Sequence, residues 1–328
     1  MEKKKSPLSK LGSQKFIVLL VVIVLFVLFS ILSPNFRKYT TFVDLINKSY
    51  YIILMAIGVT FPLITGGVDL SIGTGLICYA LAGGYLVVHQ GWPTWAGILV
   101  AILFGCAIGL ANGLLIAVMD LPPFLATLCT CMMTRGLGSI CASNFGISWP
   151  SSGQPGSWFR NIFKITTANK TVIPLGFIWM ILLVIIMAFV LNHTKVGRYT
   201  FAIGSNKEAT RLSGVNVKFY HVIAYVISGL FAGLAAIAYA ATFPTVQPGS
   251  GAGFELEAIG GAIIGGVSAS GGAGSIEGTL LGVFVICILK TGLPFIGLQA
   301  NWQQIITGAV LIGAVLIDII KNKKAEAK

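Results

Sequence analysis

NHTKVGRYTFAIGSNKEATRLSGVNVK, residues 192–218, is a polar island between two strongly apolar segments. It carries Lys195, Arg198, Lys207, Arg211 and Lys218 against one acid, Glu208. The runs on either side, Pro174–Leu191 and Tyr220–Ala241, are each long enough to cross a bilayer, which takes about 17–25 residues. Basic islands between spans favour the cytoplasmic side. The island also carries the punctuation of a helix. Ser205 followed by Glu208 reads as a capping box. Gly214 stands where a helix end favours a left-handed residue. Ala209 and Leu212 are three apart and share one face. The expectation is a short capped helix with a small apolar face, held just outside the membrane. Two readings fit it: a plug for a soluble partner, or a surface helix that packs on its own loop.

Working outward, the composition agrees with a membrane setting. The 328 residues are 56% hydrophobic and only 10% charged, where soluble proteins have about 25% charged residues. The chain is therefore an integral membrane protein. Its net charge of +12 does not imply nucleic acid, because the bases sit in short segments beside apolar runs. Cys78, Cys106, Cys129, Cys131, Cys141 and Cys287 lie in or at the edge of apolar segments. They form no CxxC and no ligand spacing with histidine, so they read as packing residues. His89, His193 and His221 are scattered, and no metal site is expected. The sequence has no GxxxxGK[ST], HExxH or GxSxG, so neither a P-loop nor an enzyme constellation is present.

The fold class expected is an all-α integral membrane protein with about ten transmembrane helices, some of them broken. The spans run Phe16–Leu32, Tyr50–Thr65, Ile72–Val88, Trp95–Val118, Phe124–Ser143, Pro174–Leu191, Tyr220–Ala241, Leu256–Gly265, Thr279–Pro294 and Trp302–Ile320. The eighth is too short to cross unless it is tilted or continues into the glycine-rich turn after it. Residues 16–32 lack a cleavage site and read as a retained span. Residues 1–15 form a basic N-terminal segment, 16–320 the membrane domain and 321–328 a tail. With both termini and the 192–218 loop inside, fourteen Lys and Arg lie inside and seven outside, and Arg135 falls within a span. This bias makes the N- and C-termini cytoplasmic. The long 144–173 loop is then an irregular extracytoplasmic cap.

GGVDLSIGTG, Gly66 to Gly75, is the sharpest local signal. Paired glycines break a helix and let backbones approach. Asp69 or Ser71 can cap the helix that follows. A carboxylate at that depth is costly unless it is paired or capping. Gly66, Gly67, Asp69 and Ser71 therefore read as a hinge or gate, or as a purely structural cap. Gly265-Gly266-Val267-Ser268-Ala269-Ser270 resembles Gly66-Gly67-Val68-Asp69-Leu70-Ser71, which suggests two halves of a duplicated pattern with Gly265 and Gly266 as the second hinge. Asn112 and Thr127 are neutral groups suited to a weak passage site, although a glycine-flanked Asn also serves as interhelical glue. Arg135 can bind a polar solute, pair with Asp120 or cap a helix end. Glu255 and Glu257 are expected near the outer face and Glu277 near the inner one, too far apart to act as a pair. Gly229, Gly233 and Ala236 read as helix packing.

The segments GGVDLSIG at 66–73, NGLLIA at 112–117, PPFLATL at 122–128 with RG at 135–136, VGRYTFAIGSNKEATRLSGVNV at 196–217 and FELEAIGGAIIGGVSASGGAGSIEGTLLG at 254–282 occur together and in order. Together they resemble the ribose/xylose/galactoside permease family, the membrane subunits of ABC sugar importers. The resemblance covers almost the whole chain after residue 40. It implies that Glu208, Ala209, Arg211, Leu212, Ser213 and Gly214 form the coupling segment that docks on an ATPase subunit. It further implies a second permease copy, identical or paralogous, and an extracytoplasmic sugar-binding protein. The location implied is the bacterial cytoplasmic (inner) membrane. ATP is bound by the partner subunit, and the permease holds no cofactor of its own. The function implied is import of a pentose, hexose or related polyol by alternating access. The rival reading is an ion-coupled secondary carrier or channel. Thr210, Gly260-Gly261, Thr291-Gly292 and Cys129 depart from the family pattern and leave the sugar open.

Overall fold

The computed structural model describes residues 13–167 and 171–326. Its helices are α1 (Ser13–Leu32), α2 (Tyr39–Ile64), α3 (Ile72–Val88), α4 (Thr94–Ala117), α5 (Pro123–Cys141), α6 (Trp158–Phe163), α7 (Gly176–His193), α8 (Lys195–Ser205), α9 (Lys207–Leu212), α10 (Val217–Thr242), α11 (Phe254–Ile264), α12 (Ile276–Phe295) and α13 (Ala300–Glu326). A two-residue hairpin, β1 (Ile165–Thr166) with β2 (Val172–Ile173), pairs antiparallel between α6 and α7. Among the described residues, seven helices are long and apolar enough to cross a membrane: α1, α2, α4, α5, α7, α10 and α12. The apolar α3 is shorter, at 17 residues. The chain is a helical membrane protein, as its composition requires. Most of the basic segment 1–15 lies outside the described residues, whereas α13 continues helical through most of 321–328, to Glu326.

The helix α2 is the core of the bundle. It is buried from Ser49 to Ile64 and packs against α10, α12 and α11. It starts at Tyr39, eleven residues before the apolar run at Tyr50. Asn47, Lys48 and Ser49 break that run without breaking the helix, because the Ser49 hydroxyl donates back to the Ile46 carbonyl at 2.7 Å. The second axis of the bundle is α10, which lies along α4 with glycine against glycine. A Cβ on Gly229 would sit 2.2 Å from the Gly105 carbonyl oxygen, and one on Gly105 would sit 2.3 Å from that of Gly229. Small residues allow this backbone approach, which carries helix association where lipid removes the hydrophobic drive. The same device joins α11 to α12, where Gly265 meets Gly278 and Gly261 meets Gly282. Large apolar side chains on α1 and α7, such as Ile23, Ile31, Ile178 and Ile185, face outward.

The α11 helix has 11 residues, about 16 Å at 1.5 Å per residue, half of a ~30 Å hydrocarbon core. It stops at the glycine turn as the sequence anticipates. The 144–173 loop is more ordered than its composition suggests. Buried Arg160 donates to the carbonyls of Pro150 (2.8 Å), Ala241 (3.0 Å) and Trp149 (3.1 Å). The Trp149 indole donates to the Ala80 carbonyl at 3.0 Å, and Ile147 pairs with Val246.

Candidate functional site: a junction of two turns and a surface helix

The 192–218 island folds as two helices rather than one. Ser205 is the last residue of α8 and is helical, so it cannot be the extended N-cap of α9. Asn206 takes that place with φ −161° and ψ 102°, and its Oδ1 accepts from the Ala209 amide at 2.9 Å. Glu208 does not reach back to complete a capping box. Its Oε2 accepts from Arg211 Nε at 2.9 Å. Gly214 is left-handed, at φ +80°, and its amide donates to the Arg211 carbonyl. Thr210 is the residue of α9 that turns inward. Glu208, Ala209, Arg211, Leu212, Ser213 and Gly214 are all exposed, and Leu212 is 80% exposed.

The preceding helix, α8, packs against the end of α2. Gly204 lies where a Cβ would come 1.8 Å from the Ile64 carbonyl oxygen and 2.5 Å from the Gly272 nitrogen. Those two atoms are themselves hydrogen-bonded at 2.9 Å, linking the end of α2 to the turn between α11 and α12. The two glycine turns therefore meet, and α8 sits on their contact.

The turns share a cap. The amides of Gly66 and Gly67 donate to the carbonyls of Leu63 and Pro62, both at 2.9 Å, with Gly66 at φ +83°. The amides of Gly266 and Val267 donate to the carbonyls of Ile263 (2.9 Å) and Ala262 (3.0 Å), with Gly266 at φ +99°. Both are Schellman ends, in which a left-handed residue turns the chain. The left-handed position that matches Gly66 is Gly266, not Gly265, so the caps align one residue away from the sequence match. Beyond the cap the original match returns. Asp69 Oδ1 accepts from the Ser71 amide (3.0 Å), and Ser268 Oγ accepts from the Ser270 amide (3.3 Å).

Asp69 anchors a buried polar network. Its Oδ1 also accepts from Ser71 Oγ at 2.6 Å, and its Oδ2 accepts from Ser228 Oγ at 2.7 Å. Asn112 Nδ2 donates to Ser71 Oγ at 3.0 Å, and Thr130 Oγ1 donates to Asn112 Oδ1 at 2.8 Å. Thr127 Oγ1 bonds the carbonyls of Pro123 (2.8 Å) and Val68 (3.2 Å). All six side chains are buried, so the network ties the first turn to α4, α5 and α10. Asp69 makes no salt bridge among the described residues. Thr130 and Ser228 have no local sequence signal, because their partners, Asn112 and Asp69, lie 18 and 159 residues away.

A family model described as "branched-chain amino acid transport system / permease component" matches residues 41–315. The chain belongs to this permease family. The permease is 34% identical to the ribose import permease protein of Escherichia coli K12 over 322 residues, covering 96% of this chain and 95% of that one. It is 32% identical to the galactose/methyl galactoside import permease protein of the same organism over 337 residues, 97% of each chain. It is also 32% identical to the autoinducer 2 import system permease protein of Yersinia pseudotuberculosis over 307 residues, 92% of this chain and 83% of that one. No solved structure matches. The permease is thus a membrane component of the ABC sugar-importer class.

The remaining charged groups of the permease fall differently from their expected places. Lys290, counted among the outer charges although the expected span Thr279–Pro294 contains it, is inside α12 and donates to both carboxylate oxygens of Glu257, at 2.7 and 2.8 Å. Glu277 pairs with Lys15 at 3.1 Å, across α12 and α1. Glu255 accepts from the Gly253 amide and lies against Gly73, near the start of α3 and far from its other end at His89. Residues 243–253 therefore run back along α3 before α11 begins. Arg135 is exposed on α5 and has neither Asp120 nor any other acid as an ion-pair partner among the described residues.

Proposed function

We propose that the permease moves a simple sugar, a pentose, hexose or related polyol, into the cytoplasm by alternating access, driven by a separate ATPase that docks on α9. The observation that carries this reading is the pairing of a bare Leu212 on α9 with Gly204 of α8 seated on the Ile64–Gly272 contact. An ATPase pressing on α9 pushes α8 against the point where both glycine turns meet. Gly66 and Gly266 then serve as hinges, with Gly67, Asp69, Ser71 and Gly265 around them. Asn112 and Thr127 are closed off in this conformation, and a solute reaches them only when α5 parts from α3 and α4. On this reading both termini are cytoplasmic and the chain crosses the bacterial inner membrane ten times. A second permease copy completes the passage, and an extracytoplasmic binding protein delivers the sugar. The import permeases of ribose and of galactose, similar over nearly their whole length, support the solute class.

The test is co-purification. The ATPase is expected to remain with the wild-type permease and to be lost with Arg211→Glu, together with ATP-driven uptake in vesicles. Loss of uptake with the ATPase still bound refutes docking through α9. A second reading, an ion-coupled carrier, is favoured by one observation, the buried Asp69 carboxylate without a salt bridge. Uptake without any ATPase would establish that reading instead.

A further inference from the structure

On the side opposite α8 and α9, an open cavity of about 380 Å³ lies among α2, the end of α10, the start of α11, α12 and the first turn of α13. That volume is in the ~300–1,000 Å³ range of small-molecule sites. One wall is aromatic. Tyr51, Tyr239, Phe243 and Phe254 pack ring to ring, with centroids 5.3 Å apart for Tyr51–Tyr239, 4.4 Å for Tyr239–Phe243 and 5.1 Å for Tyr51–Phe254. Mutual packing holds these faces still. Four polar side chains line the same cavity: Lys48, Lys290, Thr291 and Gln303. The Lys290 ammonium is held by Glu257 at 2.7 Å and sits 5.5 Å over the Phe254 ring.

We propose that this cavity binds a neutral polyhydroxylated ring, an outward-facing stop for the solute before passage. The inference rests on the sugar-import reading and gives that reading a site. A flat sugar face presents C–H groups to aromatic rings, while its rim of hydroxyls needs donors and acceptors around the edge. Phe254 and Tyr239 supply the platform, and Lys290, Thr291 and Gln303 supply the edge. An acyl chain would leave the polar groups of Thr291 and Gln303 facing hydrocarbon, which costs free energy. An anion is a poorer fit, because Glu257 already neutralises Lys290. The site must also release its solute inward, so weak binding suits it.

Pro294→Cys, in a background with the exposed Cys129 and the cavity-lining Cys287 replaced by Ser, places one thiol on the cavity wall apart from the platform and edge residues. The whole importer, permease with its ATPase, is reconstituted in lipid nanodiscs. Maleimide labelling is timed with D-ribose, D-galactose or D-fructose, and with glycine betaine at equal osmolarity. Uptake of the same sugars is measured in vesicles. At a sugar concentration of twice Kd, labelling slows about threefold, following 1 + [L]/Kd. Glycine betaine is expected to have no effect, and Thr291→Trp, which fills the cavity, is expected to remove the protection. If a sugar is taken up but leaves labelling unchanged at the concentration that saturates uptake, the site is refuted and sugar import stands. If the wild type takes up no pentose, hexose or polyol, the import reading falls and the site with it. If labelling responds to the phospholipid headgroup of the nanodisc and not to sugar, the cavity holds lipid and the proposal is wrong.

Discussion

Asp69 separates a structural hinge from an ion site, and two substitutions at this one position do the work. The carboxylate takes three hydrogen bonds: from the Ser71 amide (3.0 Å), the Ser71 hydroxyl (2.6 Å) and the Ser228 hydroxyl (2.7 Å). Asp69→Ala strands the Ser71 amide in a buried site, at about 1–3 kcal/mol, and removes the acceptor of two hydroxyls at about 1 kcal/mol each. The expected cost is about 3–5 kcal/mol. Asp69→Asn keeps a carbonyl oxygen for both Ser71 donors. Its amide then donates to the Ser228 oxygen, which accepts as readily as it donates. The expected cost is below about 1.5 kcal/mol. For a chain of 328 residues the unfolding entropy is about 0.7 kcal/mol/K, so Ala lowers the thermal midpoint by about 6 °C and Asn by about 2 °C or less. The assay is thermal unfolding of the detergent-solubilised complex, with ATP-driven uptake in vesicles measured alongside. Asn is expected to keep most of the uptake. Should Asn abolish uptake as fully as Ala while its midpoint stays within about 2 °C of wild type, the negative charge itself works in transport and the hinge account is wrong.

Two further substitutions test the close backbone contacts. Gly229→Ala puts a methyl 2.2 Å from the Gly105 carbonyl oxygen, so α4 and α10 must part, at about 1–3 kcal/mol. Combining it with Gly105→Ala should cost less than the sum, because one separation relieves both clashes; strict additivity would mean the helices do not touch there. Gly204→Ala drives a methyl into the Ile64 carbonyl at the turn junction while leaving α9 unchanged. The ATPase is expected to stay bound while the sugar imported per ATP hydrolysed falls; an unchanged ratio would show that force does not travel through this contact.

The large features of the fold were legible because lipid imposes them. Long apolar runs must be helices, and the basic island had to lie outside the hydrocarbon. The glycine turns were legible too, since Gly66 and Gly266 need a left-handed backbone. What failed was anything set by a distant partner. The second span was expected from Tyr50, yet α2 starts at Tyr39 and runs through Asn47-Lys48-Ser49. Ser205 looked like a cap, yet α8 consumes it and Asn206 caps instead. Lys290 looked like an outer charge until Glu257 appeared beside it across α11 and α12. The Asp69 network was half legible: Asp69, Ser71, Asn112 and Thr127 stand out as polar residues in apolar surroundings, but their mutual contacts, and Thr130 and Ser228, depend on packing.

The two halves of the duplicated pattern are held in different ways. The Gly66 turn is held by Asp69 to Ser228 of α10 and, through Ser71 and Asn112, to Thr130 of α5. Shifting that turn means breaking several buried hydrogen bonds at once. The Gly266 turn has serine where the first has Asp69, and its flanks α11 and α12 meet through glycine backbones at Gly265–Gly278 and Gly261–Gly282. The Lys290–Glu257 ion pair joins the far ends of the same two helices, so they move together as one hairpin. The link between the turns is the Ile64–Gly272 hydrogen bond, on which Gly204 rests. A push arriving through α8 therefore meets that bond and is passed to both turns. The α11–α12 hairpin carries Phe254 and Lys290 into the outer cavity at its far end. Motion that enters at Gly272 thus reaches the aromatic platform by way of the hairpin that carries it.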